Sequence, residues 1–146
     1  MSIEIEHKYL VVSDVYRQMS KGSCRIRQGY LCREPERTVR VRVKDEKAYL
    51  TVKGITRGDK RAEFEYEIPY SDVEEMLRLC VGGIIDKTRY YVEFGGNLWE
   101  VDEFHGGHEG LVVAEIELPV STHDYLLPSF VGEEVTGNPA YYNSNL

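Results

Sequence analysis

Same-sign charges two residues apart recur along this chain, each pair flanked by aliphatic or aromatic residues, and any fold has to place them. Ile3-Glu4-Ile5-Glu6-His7-Lys8-Tyr9-Leu10 alternates with period two, as do Arg25-Ile26-Arg27-Gln28 and Thr38-Val39-Arg40-Val41-Arg42-Val43. The pattern returns over residues 48–53, 61–68, 84–94, 97–104 and 111–118, with Gly, Pro, Asp or charged residues between the runs. Successive side chains of a strand point to opposite faces, so each run predicts a β-strand. About eight such strands in one chain of 146 residues predict a mainly β fold of the α+β kind, either a closed antiparallel barrel or a sandwich.

Three short helices are expected between or after the strands. Ser71-Asp72-Val73-Glu74 has the form of a capping box, Val73, Met76, Leu77 and Cys80 follow at helical spacing, and Gly82-Gly83 is the expected stop. Asn138-Pro139 reads as N-cap and first residue of a C-terminal helix carrying Tyr142 and Leu146. Residues 14–19 give a weaker helical pattern. The length and the absence of a linker, repeat or low-complexity stretch predict a single domain over 1–146.

Composition narrows the function classes. Apolar residues at 42% and charged residues at 29% are those of a globular chain. No apolar run approaches the ~18 residues of a membrane span, and the first ten residues lack the apolar stretch of a signal peptide. Three cysteines without a CxxC spacing are expected to be reduced thiols of a cytoplasmic protein. A net charge of −7 is the opposite of the basic excess of a nucleic-acid sleeve. His105 and His108 sit in a Gly-rich turn and make no metal-ligand spacing of their own.

The charged faces carry the chemistry. Glu-x-Glu on one strand puts two carboxylates on one face, ~6.5–7 Å apart, which is unfavourable unless a cation lies between them. Two such pairs facing each other suit a hard divalent cation, Mg²⁺ or Mn²⁺. Arg-x-Arg and Lys-x-Arg pairs need an anion in the same way, and guanidinium forks match phosphate oxygens. The acids Glu4, Glu6, Glu63, Glu65, Glu100, Asp102, Glu115 and Glu117 slightly outnumber the bases Lys8, Arg40, Arg42, Lys53, Lys87 and Arg89. One or two divalent cations and a bound triphosphate would bring such an assembly near neutrality, as burial of that many charges requires. Alternation alone does not say which face is in. The same residues could pair across strands on an outer sheet face.

The ordered motifs resemble a known family. Glu4-Ile5-Glu6-His7-Lys8 is similar to the N-terminal Glu-x-Glu-x-Lys signature of the CYTH superfamily, the triphosphate tunnel metalloenzymes. It is followed in order by Gln28-Gly29-Tyr30-Leu31, Arg40-Val41-Arg42, Thr51-Val52-Lys53-Gly54, Glu63-Phe64-Glu65, Lys87-Thr88-Arg89-Tyr90, Trp99-Glu100-Val101-Asp102-Glu103-Phe104, Ala114-Glu115-Ile116-Glu117-Leu118 and the terminal Val135-Thr136-Gly137 through Leu146. The resemblance implies a closed eight-stranded antiparallel barrel with the charged faces inward. By position it implies that Lys8, Arg40, Arg42, Lys53, Lys87 and Arg89 hold a triphosphate and that Glu4, Glu6, Asp102, Glu115 and Glu117 hold metal. Glu63, Glu65 and Glu100 would then orient the bases or assist a second ion, with Lys8 and Tyr30 as candidate proton handlers. The expected activity is metal-dependent hydrolysis of the terminal phosphoryl group of inorganic triphosphate or another small triphosphate. Adenylyl cyclase chemistry on ATP and a non-catalytic polyphosphate- or nucleotide-binding module are the alternatives. The oligomeric state is left open, a homodimer included.

Overall fold

A computed structural model describes residues 2–146. The nine strands are β1 (Ile3–Val11), β2 (Gly22–Cys32), β3 (Arg37–Lys44), β4 (Lys47–Gly54), β5 (Lys60–Ile68), β6 (Val81–Phe94), β7 (Asn97–Phe104), β8 (Val112–Glu117) and β9 (Val131–Glu134). Two α-helices, α1 (Tyr16–Met19) and α2 (Val73–Arg78), are short. Antiparallel neighbours run in the order β5-β4-β3-β2-β6-β7-β8-β1, and β1 returns to β5 through Ile3↔Ala62, Glu4↔Arg61 and Ile5↔Lys60. Eight strands thereby close into a barrel, with β5 covering only the first part of β1 on that side. The ninth, β9, pairs with the far end of β1 through Tyr9↔Glu134 and Val11↔Val131.

The sharp hairpins follow from local chemistry. Gly95 and Gly96, both at positive φ (59° and 79°), make the two-residue turn between β6 and β7. Asp45, at φ 54°, turns β3 into β4 and is the non-glycine residue at positive φ among those described.

Because the charged face of each strand points inward, the apolar core lies largely on the outside of the barrel. Tyr9, Val92, Trp99, Val101, Ala114 and Ile116 on the outer faces of β1, β6, β7 and β8 pack with Tyr16 of α1 and with Phe130. On the opposite side Val41, Val43 and Ala48 are covered by Val73 and Leu77 of α2. A third cluster differs in kind. Tyr30, Ile85, Phe104 and Val113 have the same strand parity as the inward charges, and they pack with Leu10, Leu111 and the terminal Leu146. The interior thus passes from charged walls to an apolar floor at one end. Arg33 fastens that floor, donating to the carbonyls of Ser144 and Leu146 at 2.9 and 3.1 Å and to Val81 at 3.1 Å.

Several local expectations are corrected. The capping box does not form: Tyr70–Asp72 is a 3-10 turn, and Asp72 precedes α2 without a side-chain cap. Gly82-Gly83 does not stop the helix but lies within β6, because pairing with β2 extends to Tyr30↔Val81. Asn138 does cap, its side chain accepting from the Ala140 amide at 3.1 Å, but the C-terminal helix is split into two 3-10 turns, Pro139–Tyr141 and Asn143–Asn145, by the extended Tyr142. β9 carries no alternation of its own; it exists because the outer edge of β1 needs a partner.

Gly29 of β2 lies against Ile84 of β6 and Cys80, which follows α2. A Cβ there would stand 2.7 Å from Ile84 Cδ1 and 2.9 Å from Cys80 Cβ. Gly29→Ala is expected to cost about 1–3 kcal/mol by overpacking. The check is a lowered urea midpoint with unchanged slope; an unchanged midpoint would show that the contact yields freely.

Candidate active site

A cavity of about 310 Å³ occupies the barrel, lined from every strand that carries an inward charge. Glu4, Glu6, Lys8, Arg40, Arg42, Lys53, Glu63, Glu65, Lys87, Arg89, Glu100, Glu115 and Glu117 all reach it, as does Tyr30. Asp102 does not line it; this carboxylate is fully buried beneath the wall. The structure adds Thr38, Lys44, Asp59, Arg61, Thr136 and Asn143, which the alternation alone did not single out.

Strand register explains how the charges meet. Pairing sets Glu6 opposite Glu117 and Lys8 opposite Glu115 across β1 and β8, and Glu100 opposite Glu115 across β7 and β8. It sets Arg89 opposite Asp102 across β6 and β7, and Lys53 opposite Glu63 across β4 and β5. One part of the wall therefore stacks carboxylate on carboxylate, and another pairs cations with acids.

The cations are braced from behind. Asp102 accepts from Lys87 Nζ at 2.7 Å and from Arg89 Nε and Nη2 at 2.8 and 2.9 Å. Burial alone would push the Asp102 carboxyl up, but Arg89 and Lys87 hold it down at about 2. Burial, together with Arg89 and Arg42, lowers Lys87 well below the ordinary lysine range, against the pull of Asp102. Lys87 also donates to Asn143 Oδ1 at 3.1 Å, and Gln28 Nε2 donates to the same oxygen at 3.2 Å. Arg42 Nε donates to Gln28 Oε1 at 2.8 Å. Arg40 Nη2 donates to Thr51 Oγ1 and Glu65 Oε2, both at 3.1 Å. Lys53 sits between Glu4 and Glu63, at 3.1 and 3.2 Å. Burial also pulls Arg42 down, to about 10, with Arg40 and Arg89 adding to it.

Lys8 Nζ donates to the Tyr141 carbonyl at 3.0 Å and lies 3.7 Å from Glu115 Oε1. Burial disfavours its charge, yet Glu115, Glu6 and Asp102 raise it above the ordinary lysine value. The ammonium form is thereby favoured, which suits an anion ligand or proton donor rather than a base. Tyr30 is buried, its hydroxyl accepting from Gln28 Nε2 at 3.4 Å.

The acids divide differently. Glu4, Glu6 and Glu117 each offer one oxygen, and the three lie within 4.8 Å of one another. Glu115 stands beside this trio; burial opposes its charge, but Lys8, with Arg89 and Lys87, holds it well below the carboxylate range. Glu6 is raised by burial and then by Glu115 and Glu4. Glu117 is raised by burial and then by Glu4, Glu100 and Glu63, to about 7. Among the described residues Glu6 and Glu117 form no ion pair, whereas Asp102 has two cations of its own.

The interior unites an acid-rich wall and a cation-rich wall in one cavity of a closed β-barrel. Residues 2–143 match the CYTH domain family, and the chain belongs to it. It is 50% identical to an inorganic triphosphatase of Acetivibrio thermocellus, over all of this chain and 94% of that one. Among solved structures it is similar to the inorganic triphosphatase NE1496, with 29% identity, a TM-score of 0.68, and coverage of 99% of this chain and 94% of that one. The protein PH1012 of Pyrococcus horikoshii OT3 shares the fold at 19% identity and a TM-score of 0.62, over 81% and 79% of the two chains. No helix among the described residues is long and apolar enough to cross a membrane.

Asp102→Asn would leave Lys87 buried without its counter-ion and Arg89 with Glu100 alone. A loss of about 3–5 kcal/mol in stability is expected, in the absence of any divalent ion or phosphate. Chemical unfolding checks it. Stability equal to the parent without ligand would mean that Asp102 does not brace these cations.

Proposed function

We propose that this protein is a divalent-metal-dependent triphosphatase that cleaves the terminal phosphoryl group of inorganic triphosphate or a related small triphosphate. The observation that carries the reading is the convergence of six braced cations and a carboxylate trio on one cavity. The activity of the 50% identical relative supports it.

The donor set fits a hard cation: three carboxylates at close quarters, two of them with pKa raised by burial and by neighbouring carboxylates. Glu4, Glu6 and Glu117 would hold the ion, with Glu115 beside them, and Mg²⁺ or Mn²⁺ is the class their oxygens suit. Such an ion supplies charge neutralisation at phosphate oxygens and lowers the pKa of bound water. Asp102, expected from the sequence as a fifth metal ligand, is better used as the brace of Lys87 and Arg89, since both its oxygens are taken.

Phosphoryl transfer is mostly positioning and electrostatic stabilisation. Arg40, Arg42, Lys53, Lys87 and Arg89 orient the phosphate chain and spread its charge. Their partners Glu65, Gln28, Glu63, Asn143 and Asp102 fix them beforehand, so little reorganisation is left for the reaction itself. Lys8 keeps its proton and donates a hydrogen bond from its ammonium group to a phosphate oxygen. Glu65 and Glu100 hold the outer nitrogens of Arg40 and Arg89.

The test is turnover of tripolyphosphate, ATP and thiamine triphosphate with Mg²⁺ and with Mn²⁺. Phosphate release from tripolyphosphate is expected; its absence under all conditions overturns the assignment, and cyclic AMP from ATP would move the reading to a cyclase. Glu117→Gln should lower kcat/KM by about a hundredfold, some 2.7 kcal/mol of transition-state stabilisation. Arg40→Ala should act chiefly by raising KM.

A proton competes with a cation at Glu117. Its carboxyl binds a proton more tightly folded than unfolded, so the ligand-free protein gains stability from this group as pH falls from about 7 towards the ordinary carboxylate range. Metal binding needs the charged form. The rise in Tm with Mg²⁺ should therefore shrink between about pH 8 and about pH 6 at fixed ionic strength. An equal rise at both pH values would remove Glu117 from the metal seat.

A further inference from the structure

Most cations that line the cavity have a carboxylate partner; Arg61 does not. Among the described residues, Arg42, Lys44 and Arg61 are the lining cations with no carboxylate oxygen within 4.0 Å. Arg42 uses Nε on Gln28, and Lys44 lies over the Tyr91 ring at 5.5 Å. Arg61 donates only from Nη2, to Thr38 Oγ1 at 3.0 Å. Its Nε is buried with no acceptor, and the Nε of Arg40 is buried and without acceptor too.

These two orphaned nitrogens belong to one stretch of wall. Thr38 and Arg40 are two residues apart on β3, so their side chains leave the same face, and Arg61 reaches Thr38 from β5. Arg61 shares the parity of Glu63 and Glu65 but stands outside the paired-charge motifs, which begin after it. A desolvated guanidinium N–H without an acceptor is unfavourable until an anion meets it, and the planar fork of Arg suits phosphate oxygens.

We propose that Arg61 is a further substrate ligand: its Nε edge, together with that of Arg40, takes one phosphate group of the bound polyphosphate, and Thr38 is the positioning residue that orients the guanidinium. This rests on the reading of the cavity as a triphosphate site. Arg61 adds a cation with no carboxylate partner among the described residues, so its full charge is available to the substrate. Arg40, by contrast, must share its guanidinium with Glu65. The contribution of Arg61 falls on binding, whether or not the chain is then cleaved.

The experiment separates binding from turnover. Calorimetric titration of the whole protein with tripolyphosphate in the presence of EDTA measures Kd, and phosphate release with Mg²⁺ measures kcat and KM. Arg61→Gln is expected to weaken Kd and raise KM by about tenfold or more, with kcat within about threefold of the parent. Arg61→Lys, which keeps the charge and loses the fork, should fall between the two. Thr38→Val should weaken binding by about threefold and leave kcat unchanged. A Kd for Arg61→Gln within twofold of the parent, in a protein that melts as a folded chain, overturns the proposal. Should Arg61→Gln fail to fold, a parental Kd in Arg61→Lys with an unchanged response to ionic strength overturns it instead. Tight binding by the parent without phosphate release would defeat the triphosphatase reading while leaving the Arg61 site standing. No binding by the parent would defeat both.

Discussion

Asp102 lies at the bottom of everything this interior does. A carboxylate with no exposed surface can remain charged only if cations reach it, and Lys87 and Arg89 both do, from the neighbouring strand. The arrangement is reciprocal. Lys87 is 1% exposed, and without Asp102 its charge would not be tolerated there. Asn143 and Gln28 extend this cluster towards Arg42, so a hydrogen-bonded chain runs from β7 through β6 and the C-terminal turn to β2 and β3. Such a chain fixes the cavity-facing nitrogens in place.

Putting charge inside forces the apolar residues elsewhere. The barrel resolves this by turning its Val, Ile and aromatic faces outward and covering them: Tyr16 and Phe130 on one side, α2 on the other. The short helices α1 and α2 supply part of this cover. The apolar floor of Tyr30, Ile85, Phe104 and Val113, topped by Leu146, closes one end of the same interior. It also provides the low-dielectric setting in which Lys87, 5.5 Å from the Phe104 ring, has its proton affinity lowered.

The acid-rich wall has the opposite balance. Glu6 faces Glu117 directly across two strands, and Glu100 faces Glu115. Like charges in that relation oppose folding unless something positive joins them. The chain belongs to the CYTH domain family and is similar to two inorganic triphosphatases.

Much of this was legible in the residues. Alternation located eight strands because period two is a property of the local backbone, and same-sign pairing marked Glu4, Glu6, Arg40, Arg42, Glu115 and Glu117 because no ordinary solvated face needs it. The ordered motifs named the family for the same reason. What local sequence could not hold was decided by contacts between distant segments. Asn143 meets Lys87 and Gln28 across 56 and 115 residues, and Arg61 meets Thr38 across 23, through side chains whose neighbours in sequence say nothing of it. β9 forms because β1 leaves an edge open, and Gly82-Gly83 becomes strand because β2 offers a ladder there. Asp102 has the same spacing from Glu100 as Glu117 has from Glu115, yet one is buried between two cations and the other joins a carboxylate trio. The sequence by itself determined which residues are charged and which strand face carries them. Only the closure of the barrel decided which of those charges meet, because register and curvature, not spacing, set the distances on which electrostatics depends.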